Sequence, residues 1–291
     1  MEPQLVIEAR QRDMGGFGVR RVLPSAHQKL VGPFIFYDHL CRVDFPAGQG
    51  LDVRPHPHIG LATLTYLFEG AFLHRDSLGY AQLIRPGDVN WMIAGRGLAH
   101  SERTPPALRE QGGPLHGIQC WVALPLEHEE IEPSFMHHPS ASIPRTSRPG
   151  VELVVIAGSA YGLKSPVKVL SPTLYVHAQL GVGASLEVDG EHAERAVYVV
   201  SGSLALAPAG REYGEGTLLV LPASQRVELL SARGASAMLL GGAPLAGERH
   251  IYWNFVSSSL ERLEKAKQDW RDGRFNKVAG DEHEFIPLPE T

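Results

Sequence analysis

The chain has 291 residues, of which 43% are hydrophobic and 20% are charged, and its formal net charge is -5. This composition excludes a disordered chain, and the negative balance provides no basic field for phosphate backbones, so we expect no direct nucleic-acid binding. The length exceeds the usual size of one hydrophobic core, which favours two domains of about 140 residues each. Frequent glycine and proline between short apolar runs favour β architecture.

Cysteine usage and the N-terminal segment indicate the compartment. Cys41 and Cys120 have neither the CxxC spacing nor the density of a disulfide framework, so we interpret both as free thiols in a reducing compartment. Residues 1–10 lack the apolar region of a signal peptide, and no run of about 18 apolar residues occurs. We therefore expect the protein in the cytoplasm, and also in the nucleus of a eukaryotic host, without membrane contacts. The sequence leaves the oligomeric state open, and we expect a monomer.

The first half of the chain reads as short strands separated by turn residues. The predicted strands cover residues 5–9, 19–23, 31–40, 62–68, 89–93 and 115–124. A turn is predicted at 13–18, and the proline and glycine residues between 104 and 114 predict a loop.

The second half repeats this strand rhythm after a change in composition. Residues 138–150 are small, polar or proline, which predicts a linker between a domain at 1–137 and a domain at 151–291. Further strands are predicted over residues 152–158, 173–178, 196–200 and 218–221. A helix is predicted over 258–272, because Ser258 and Glu261 have the spacing of a capping box.

Two pairs of metal-ligand side chains stand out between residues 50 and 102. His56 and His58 form one pair, and His100 and Glu102 form the other. Residues two apart on an extended strand point to the same face, so both members of a pair can reach one ion. Three imidazoles and one carboxylate suit one divalent transition metal, and iron, nickel, copper, manganese, cobalt and zinc all remain open.

A weak internal repeat relates the two halves. Gly70 after one strand resembles Gly202 after another, and Gly87-Asp88-Val89 resembles Gly216-Thr217-Leu218. The corresponding shift carries the His56 and His58 positions onto Val188 and Gly190. We therefore expect the second half to keep the scaffold without a metal site. His192 and Glu194 could be read as a displaced pair, but we find no second pair after Leu218.

The two motifs together carry a family resemblance. Gly50, His56-Pro57-His58 and Gly70 resemble the first cupin motif, with Thr63 where that motif has glutamate. Pro86-Gly87-Asp88 through His100 resembles the second motif. The segments from His56 to Thr63 and from Gly95 to Glu102 look like those of the pirin family. The resemblance implies two cupin-type jelly-roll barrels in tandem with a C-terminal helix, an all-β fold, and a carboxylate ligand supplied by Glu102.

The same resemblance implies a function. Many pirins are quercetin 2,3-dioxygenases, so we expect a metal-dependent oxidoreductase, with Fe(II) as the first choice of cofactor, that opens the ring of quercetin or a related flavonol. In that reaction Glu102 accepts the proton of the flavonol 3-hydroxyl, and dioxygen opens the ring with loss of carbon monoxide. The alternative is a non-enzymatic, iron-dependent redox-sensing regulator that binds a protein partner. A third alternative is another cupin reaction on a small acid or sugar.

Most other histidines are interpreted as structural. A single histidine is more often a hydrogen-bonded core or surface residue than a ligand. This interpretation covers His39, His74, His116, His128, His177 and His250.

Overall fold

The computed structural model describes residues 2–13, 17–208 and 210–290. The predicted turn at 13–18 therefore has its central residues, 14–16, outside the described residues. Strands dominate, with 52% of residues in strands and 8% in helices, which confirms the all-β prediction.

The strands are numbered in chain order. The first twelve are β1 Leu5–Glu8, β2 Arg10–Asp13, β3 Gly18–Leu23, β4 Phe34–Phe45, β5 Asp52–His58, β6 Leu61–Glu69, β7 Phe72–Asp76, β8 Ala81–Ile84, β9 Val89–Ile93, β10 Leu98–Arg103, β11 Gly113–Ala123 and β12 Ser134–His138. The others are β13 Arg145–Arg148, β14 Val151–Ala160, β15 Leu163–Lys164, β16 Thr173–Leu180, β17 Ala184–Val188, β18 Glu194–Leu206, β19 Tyr213–Gly214, β20 Thr217–Val220, β21 Val227–Ser231, β22 Ala235–Gly242, β23 His250–Tyr252 and β24 Phe255–Ser257. The helices are α1 Pro106–Gln111 and α2 Leu260–Arg271, with 3-10 turns at Leu126–His128 and Ser140–Ser142.

The chain forms two compact units, and each collects separated stretches. Unit 1 comprises Met1–Arg12, Val19–His39 and Ala141–Leu245, and unit 2 comprises Asp13–Gly18, Leu40–Ser140 and Ala246–Thr291. The units therefore differ from the contiguous domains 1–137 and 151–291 expected from the sequence. A change in composition can mark a domain boundary when each domain is one continuous stretch of chain. Here each unit is made of three separate stretches, so one change in composition does not mark the boundary.

The predicted linker at 138–150 is part of the folded structure. It contains the end of β12, a 3-10 turn and all of β13. Strand β13 pairs antiparallel with β14, with Arg145 opposite Val154 and Arg148 opposite Val151. Small and polar residues are compatible with an edge strand, because only part of its surface has to be buried.

Unit 1 is built on an antiparallel sheet with the strand order β1-β20-β18-β22-β16-β14-β13. Its N-terminal strand β1 pairs with β20, so the first residues of the chain complete the sheet of the later half. The core is aliphatic, and Val155, Val176, Val188 and Leu239 lie within it. Val188 is thus a buried core residue at the position that the repeat aligns with His56.

Unit 2 contains two sheets that position the predicted ligands. One has the order β5-β10-β7-β8, and the other includes β12-β9-β6-β11-β4. The loop predicted at 104–114 contains α1, with proline in its first turn, where the missing N–H costs no helical hydrogen bond.

Helix α2 belongs to unit 2 and begins one residue later than its predicted cap implies. The side chain of Ser259, not Ser258, accepts the cap hydrogen bond from the backbone N–H of Arg262. Ser258 is engaged elsewhere, because its hydroxyl donates to Glu129 at 2.8 Å. Leu263 and Ala266 of α2 pack with Ile59 and Phe255, so the helix supports the segment that follows His58.

Candidate metal centre

Strands β5 and β10 place the two predicted ligand pairs side by side. They are antiparallel neighbours in which His100 lies opposite His56 and Leu98 lies opposite His58. Pro55 and Pro57 lack the N–H that a central strand must donate, and β5 is the edge strand of its sheet, where that loss is tolerated. The register shifts between His100 and Glu102, so Glu102 lies opposite Val53.

The three histidines converge on one point. His56, His58 and His100 are buried, and one ring nitrogen from each lies within 4.8 Å of the others. The Nε2 atoms of His58 and His100 are 3.1 Å apart, and the ring centroids of His56 and His100 are 4.4 Å apart.

Hydrogen bonds fix which nitrogen atom two of these histidines present. His56 Nδ1 donates to the carbonyl oxygen of Arg54 at 2.9 Å, and His58 Nδ1 donates to that of Asn254 at 3.0 Å. A carbonyl oxygen only accepts, so each Nδ1 carries the proton and each Nε2 keeps a lone pair. Lone pairs directed at a common point fit a metal ion, with Nδ1 held as metal-ligating histidines require.

Burial keeps these imidazoles neutral. It lowers the pKa of His56 to about 4, and it lowers the pKa of His58 and of His100 well below the ordinary value, with a smaller contribution from neighbouring histidines. Neutral imidazole is the form that binds a metal, so the set is ready for an ion at neutral pH without losing protons first.

Glu102 lies beside His100 in a second group. Its carboxylate and ring nitrogens of His74 and His100 lie within 4.8 Å of one another, and all three residues are buried. Gln119 Nε2 donates to Glu102 Oε1 at 2.6 Å. Burial raises the pKa of Glu102, and the bond from Gln119 acts in the opposite direction. The two groups share His100, and the complete set of four ligands stays a prediction.

His74 lies closer to the site than its interpretation as a structural histidine implies. Its Nδ1 is 3.4 Å from His100 Nδ1, and its Nε2 is 3.1 Å from Asp76 Oδ2. The sequence reasoning also missed Gln119 and Asn254. The sequence does contain a signal for His74 and Asp76, because they have the same spacing of two as the predicted ligand pairs. None exists for Asn254, which contributes only its backbone carbonyl.

Thr63 and the pair at 192 and 194 have other environments. Thr63 is buried on β6 between Trp121 and Met92 and belongs to neither group of ligands.

His192 and Glu194 make hydrogen bonds to the backbone. His192 Nε2 donates to the carbonyl of Ser159 at 3.0 Å, and a Glu194 carboxylate oxygen accepts from the N–H of Gly32 at 2.7 Å. Among residues 2–13, 17–208 and 210–290, the two groups around His100 are the ones with metal-ligand geometry.

The helices in the described part of the chain are too short or too polar to cross a membrane.

Comparison with known proteins identifies the family. The Pirin family profile matches residues 16–122, and the profile of the Pirin C-terminal cupin domain matches residues 175–276. A pirin-like protein of Caulobacter vibrioides is 49% identical over 289 residues, which covers 98% of this chain and 99% of that protein. Pirin of Homo sapiens is 31% identical over 287 residues, which covers 92% of this chain and 91% of that protein.

A solved structure agrees with these sequence matches. The crystal structure of quercetin 2,3-dioxygenase from Acinetobacter baumannii superposes with a TM-score of 0.91 at 32% identity, covering 99% of this chain and 95% of that one. The predicted pair of cupin domains is thereby confirmed. The chain belongs to the pirin family.

Proposed function

We propose that this chain is a metal-dependent dioxygenase of the quercetin 2,3-dioxygenase type. Its substrates would be dioxygen and quercetin or a related flavonol, and its metal would be held by His56, His58, His100 and Glu102. The observation that carries the proposal is the convergence of three buried, neutral imidazoles beside a buried carboxylate. The likeness to the Acinetobacter baumannii enzyme supports the reaction type.

The donor set accepts iron, nickel, copper, manganese, cobalt or zinc. Within this range we propose Fe(II), because it is the first choice that the family resemblance implies. When bound, the ion would supply Lewis acidity and, for the redox-active metals, a route for electrons between substrate and dioxygen. The chain itself supplies rigid ligands, because backbone carbonyls fix His56 and His58 through their Nδ1 atoms.

Glu102 is the general base in this proposal. Burial raises the pKa of Glu102 in the metal-free protein, and in this proposal the carboxylate accepts the proton of the flavonol 3-hydroxyl. Gln119 holds Oε1, which limits rotation of the carboxylate. The indole of Trp121 meets the ring of His58 edge to face, with ring centroids 5.1 Å apart, and His58 is fully buried.

The test is a metal-by-metal oxygenase assay. Chelator-treated protein is reloaded separately with each of the six ions, its metal content is measured, and loss of quercetin absorbance and release of carbon monoxide are followed in air. We expect turnover with at least one ion and none with chelator-treated protein. Bound metal without turnover for any of the six ions would overturn the proposal.

The second candidate is the iron-dependent regulator that acts through protein contacts. This role is compatible with membership of a family that includes Pirin of Homo sapiens. Iron bound without turnover, together with capture of a protein partner that differs between the ferrous and ferric forms, would favour it over the dioxygenase. Equal capture by both forms would count against it.

A further inference from the structure

His74 and Asp76 lie on the far side of His100 from the point where the histidines converge. Strand β7 pairs with β10, placing Asp76 opposite His100 and His74 opposite Glu102. His100 therefore faces two partners. Its Nε2 is 3.1 Å from His58 Nε2, whereas its Nδ1 is 3.4 Å from His74 Nδ1. His74 and Asp76 are 2% and 0% exposed, so solvent does not compete for these contacts.

Backbone hydrogen bonds fix the orientation of Asp76. Its Oδ1 accepts from the N–H groups of Leu78 at 2.9 Å and Tyr80 at 3.1 Å. The other oxygen, Oδ2, is left facing His74 Nε2 at 3.1 Å. An ionised carboxylate only accepts hydrogen bonds. His74 Nε2 therefore carries a proton and donates a hydrogen bond to Asp76 Oδ2.

The proton positions on the two histidines follow in sequence. When His74 is neutral and its one proton is on Nε2, its Nδ1 has a lone pair. That lone pair faces His100 Nδ1, which must then be the donor of the bond between them. His100 is left with a lone pair at Nε2, the nitrogen atom that faces His58.

We propose that His74 and Asp76, here called the positioning pair, hold His100 in the tautomer whose Nε2 binds the metal. His74 is then a positioning residue and not a ligand, since both of its ring nitrogens are engaged. Phe135 stacks on the His74 ring with centroids 4.3 Å apart and planes 12° apart, which fixes the ring plane. The inference rests on the metal centre of the proposed function.

Asp76→Asn is the most direct test. Leu78 and Tyr80 still require an acceptor, so the amide oxygen takes the place of Oδ1 and the amide NH₂ faces His74. His74 must then accept at Nε2 and donate from Nδ1, which forces His100 to accept at Nδ1 and carry its proton at Nε2. The same exchange of aspartate for asparagine inverts a histidine tautomer in hydrolytic triads.

Two readouts that do not depend on activity follow this change. Zinc affinity is measured by competition with a fluorescent chelator, and protonated ring nitrogens are identified by ¹⁵N NMR of chelator-treated, histidine-labelled protein. We expect wild type to have protonated Nδ1 on His100 and protonated Nε2 on His74, and Asp76→Asn to reverse both. Zinc affinity should fall by about 10- to 100-fold, the usual effect of losing the partner that orients a ligand.

His74→Phe provides the second variant. It keeps an aromatic ring against Phe135 while removing both nitrogens, so we expect a loss of zinc affinity of similar size. Matched controls in unit 1 are Asp38→Asn and His177→Phe, which alter a buried aspartate and a buried histidine. Both controls should bind zinc as wild type does.

The possible outcomes distinguish failure of the positioning role from failure of the proposed metal centre. Wild-type protein that binds no zinc would overturn the metal centre of the proposed function. Normal zinc binding by wild type, with both unit 2 variants within twofold of it and unchanged tautomers, would overturn the positioning role alone. Full affinity in Asp76→Asn with complete loss in His74→Phe would make His74 a ligand and also overturn the proposal.

Discussion

The Nε2 atoms of His58 and His100 lie 3.1 Å apart although the two residues are 42 positions apart in the chain. Two facing imidazole nitrogens at this distance need either a shared proton or a cation between them. Burial lowers the pKa of both rings, which disfavours an imidazolium. His58 carries its proton on Nδ1, and the tautomer proposed for His100 does the same, so neither Nε2 has a proton to share. A metal ion therefore fits this arrangement best. Substitution of either histidine should cause a measurable loss of bound metal.

His58→Ala should remove the ion. One of three converging imidazoles is lost, so bound metal should fall from about one ion per chain to below about a tenth. The measurement is elemental analysis after gel filtration. His177→Ala is the control, because it removes a buried histidine from unit 1, and it should leave the metal content unchanged. Full metal content in His58→Ala would remove this residue from the ligand set.

Glu102→Ala should lose turnover more completely than metal. The three histidines remain, so metal binding weakens but persists, whereas loss of a general base costs about 10²- to 10⁴-fold in rate. The check is kcat for quercetin at saturating metal, with metal content determined on the same sample. Full oxygenase activity in the metal-loaded variant would contradict the role of Glu102 as base.

Gln119→Leu should shift the pH profile of the reaction. The hydrogen bond from Gln119 lowers the pKa of Glu102, so its removal lets burial raise that pKa further. Because the base must be ionised, the acidic limb of kcat/KM should move to higher pH. The substitution Gln179→Leu at an exposed position should leave the pH profile unchanged. If the acidic limb does not move in Gln119→Leu, that limb does not report the ionisation of Glu102.

The stability of the chelator-treated protein should depend on His56. Its pKa is about 4 in the folded protein against an ordinary value of 6.5, so the unfolded chain binds a proton between these pH values that the folded chain does not. Stability therefore falls as pH is lowered through this window. His56→Asn should reduce the slope of the unfolding free energy against pH by about 1.4 kcal/mol per pH unit near pH 5, and by less as pH 7 is approached.

Urea unfolding at pH 5, 6 and 7 would measure this slope. The exposed substitution His27→Asn is the control and should keep the wild-type dependence. An unchanged slope in His56→Asn would mean that the His56 pKa is the same in the folded and unfolded chains.

Gly60→Ala should destabilise unit 2. Gly60 has φ +67°, and an added Cβ would lie 2.0 Å from the carbonyl oxygen of Val256. Strain and overlap together should cost roughly 2 to 5 kcal/mol of unfolding free energy. Gly183→Ala is the matched control, since its φ is +71° with open space around the Cβ, and it should cost only about 1 to 2 kcal/mol. Equal losses in the two variants would exclude the overlap as a cause.

Local patterns predicted much of the geometry of the candidate metal centre. The strand predicted at 89–93 is β9, and that at 62–68 lies within β6, because alternating or β-branched runs specify strands locally. The spacing of His56 and His58, and the family motif around His100, identified three residues that do converge. The reason is that side-chain direction along a strand has a fixed period of two.

Features set by non-local pairing escaped prediction. The proximity of His74 to His100 depends on the register of β7 against β10, which spacing along the chain does not contain. Ser258 has the sequence of a cap, but Glu129 binds it and the helix begins after Ser259. The interleaved units likewise arise from contacts between distant stretches.

The carbonyl of Asn254 that fixes His58 has a consequence for the order of biosynthesis. All four predicted ligands are translated before the residues of unit 1 that follow Ser140, whereas Asn254 is translated after them. A ribosome-bound chain can therefore expose His56, His58, His100 and Glu102 long before the partner of His58 exists. Tight metal capture should accordingly be a property of the finished chain, and the nascent chain should exchange its metal readily.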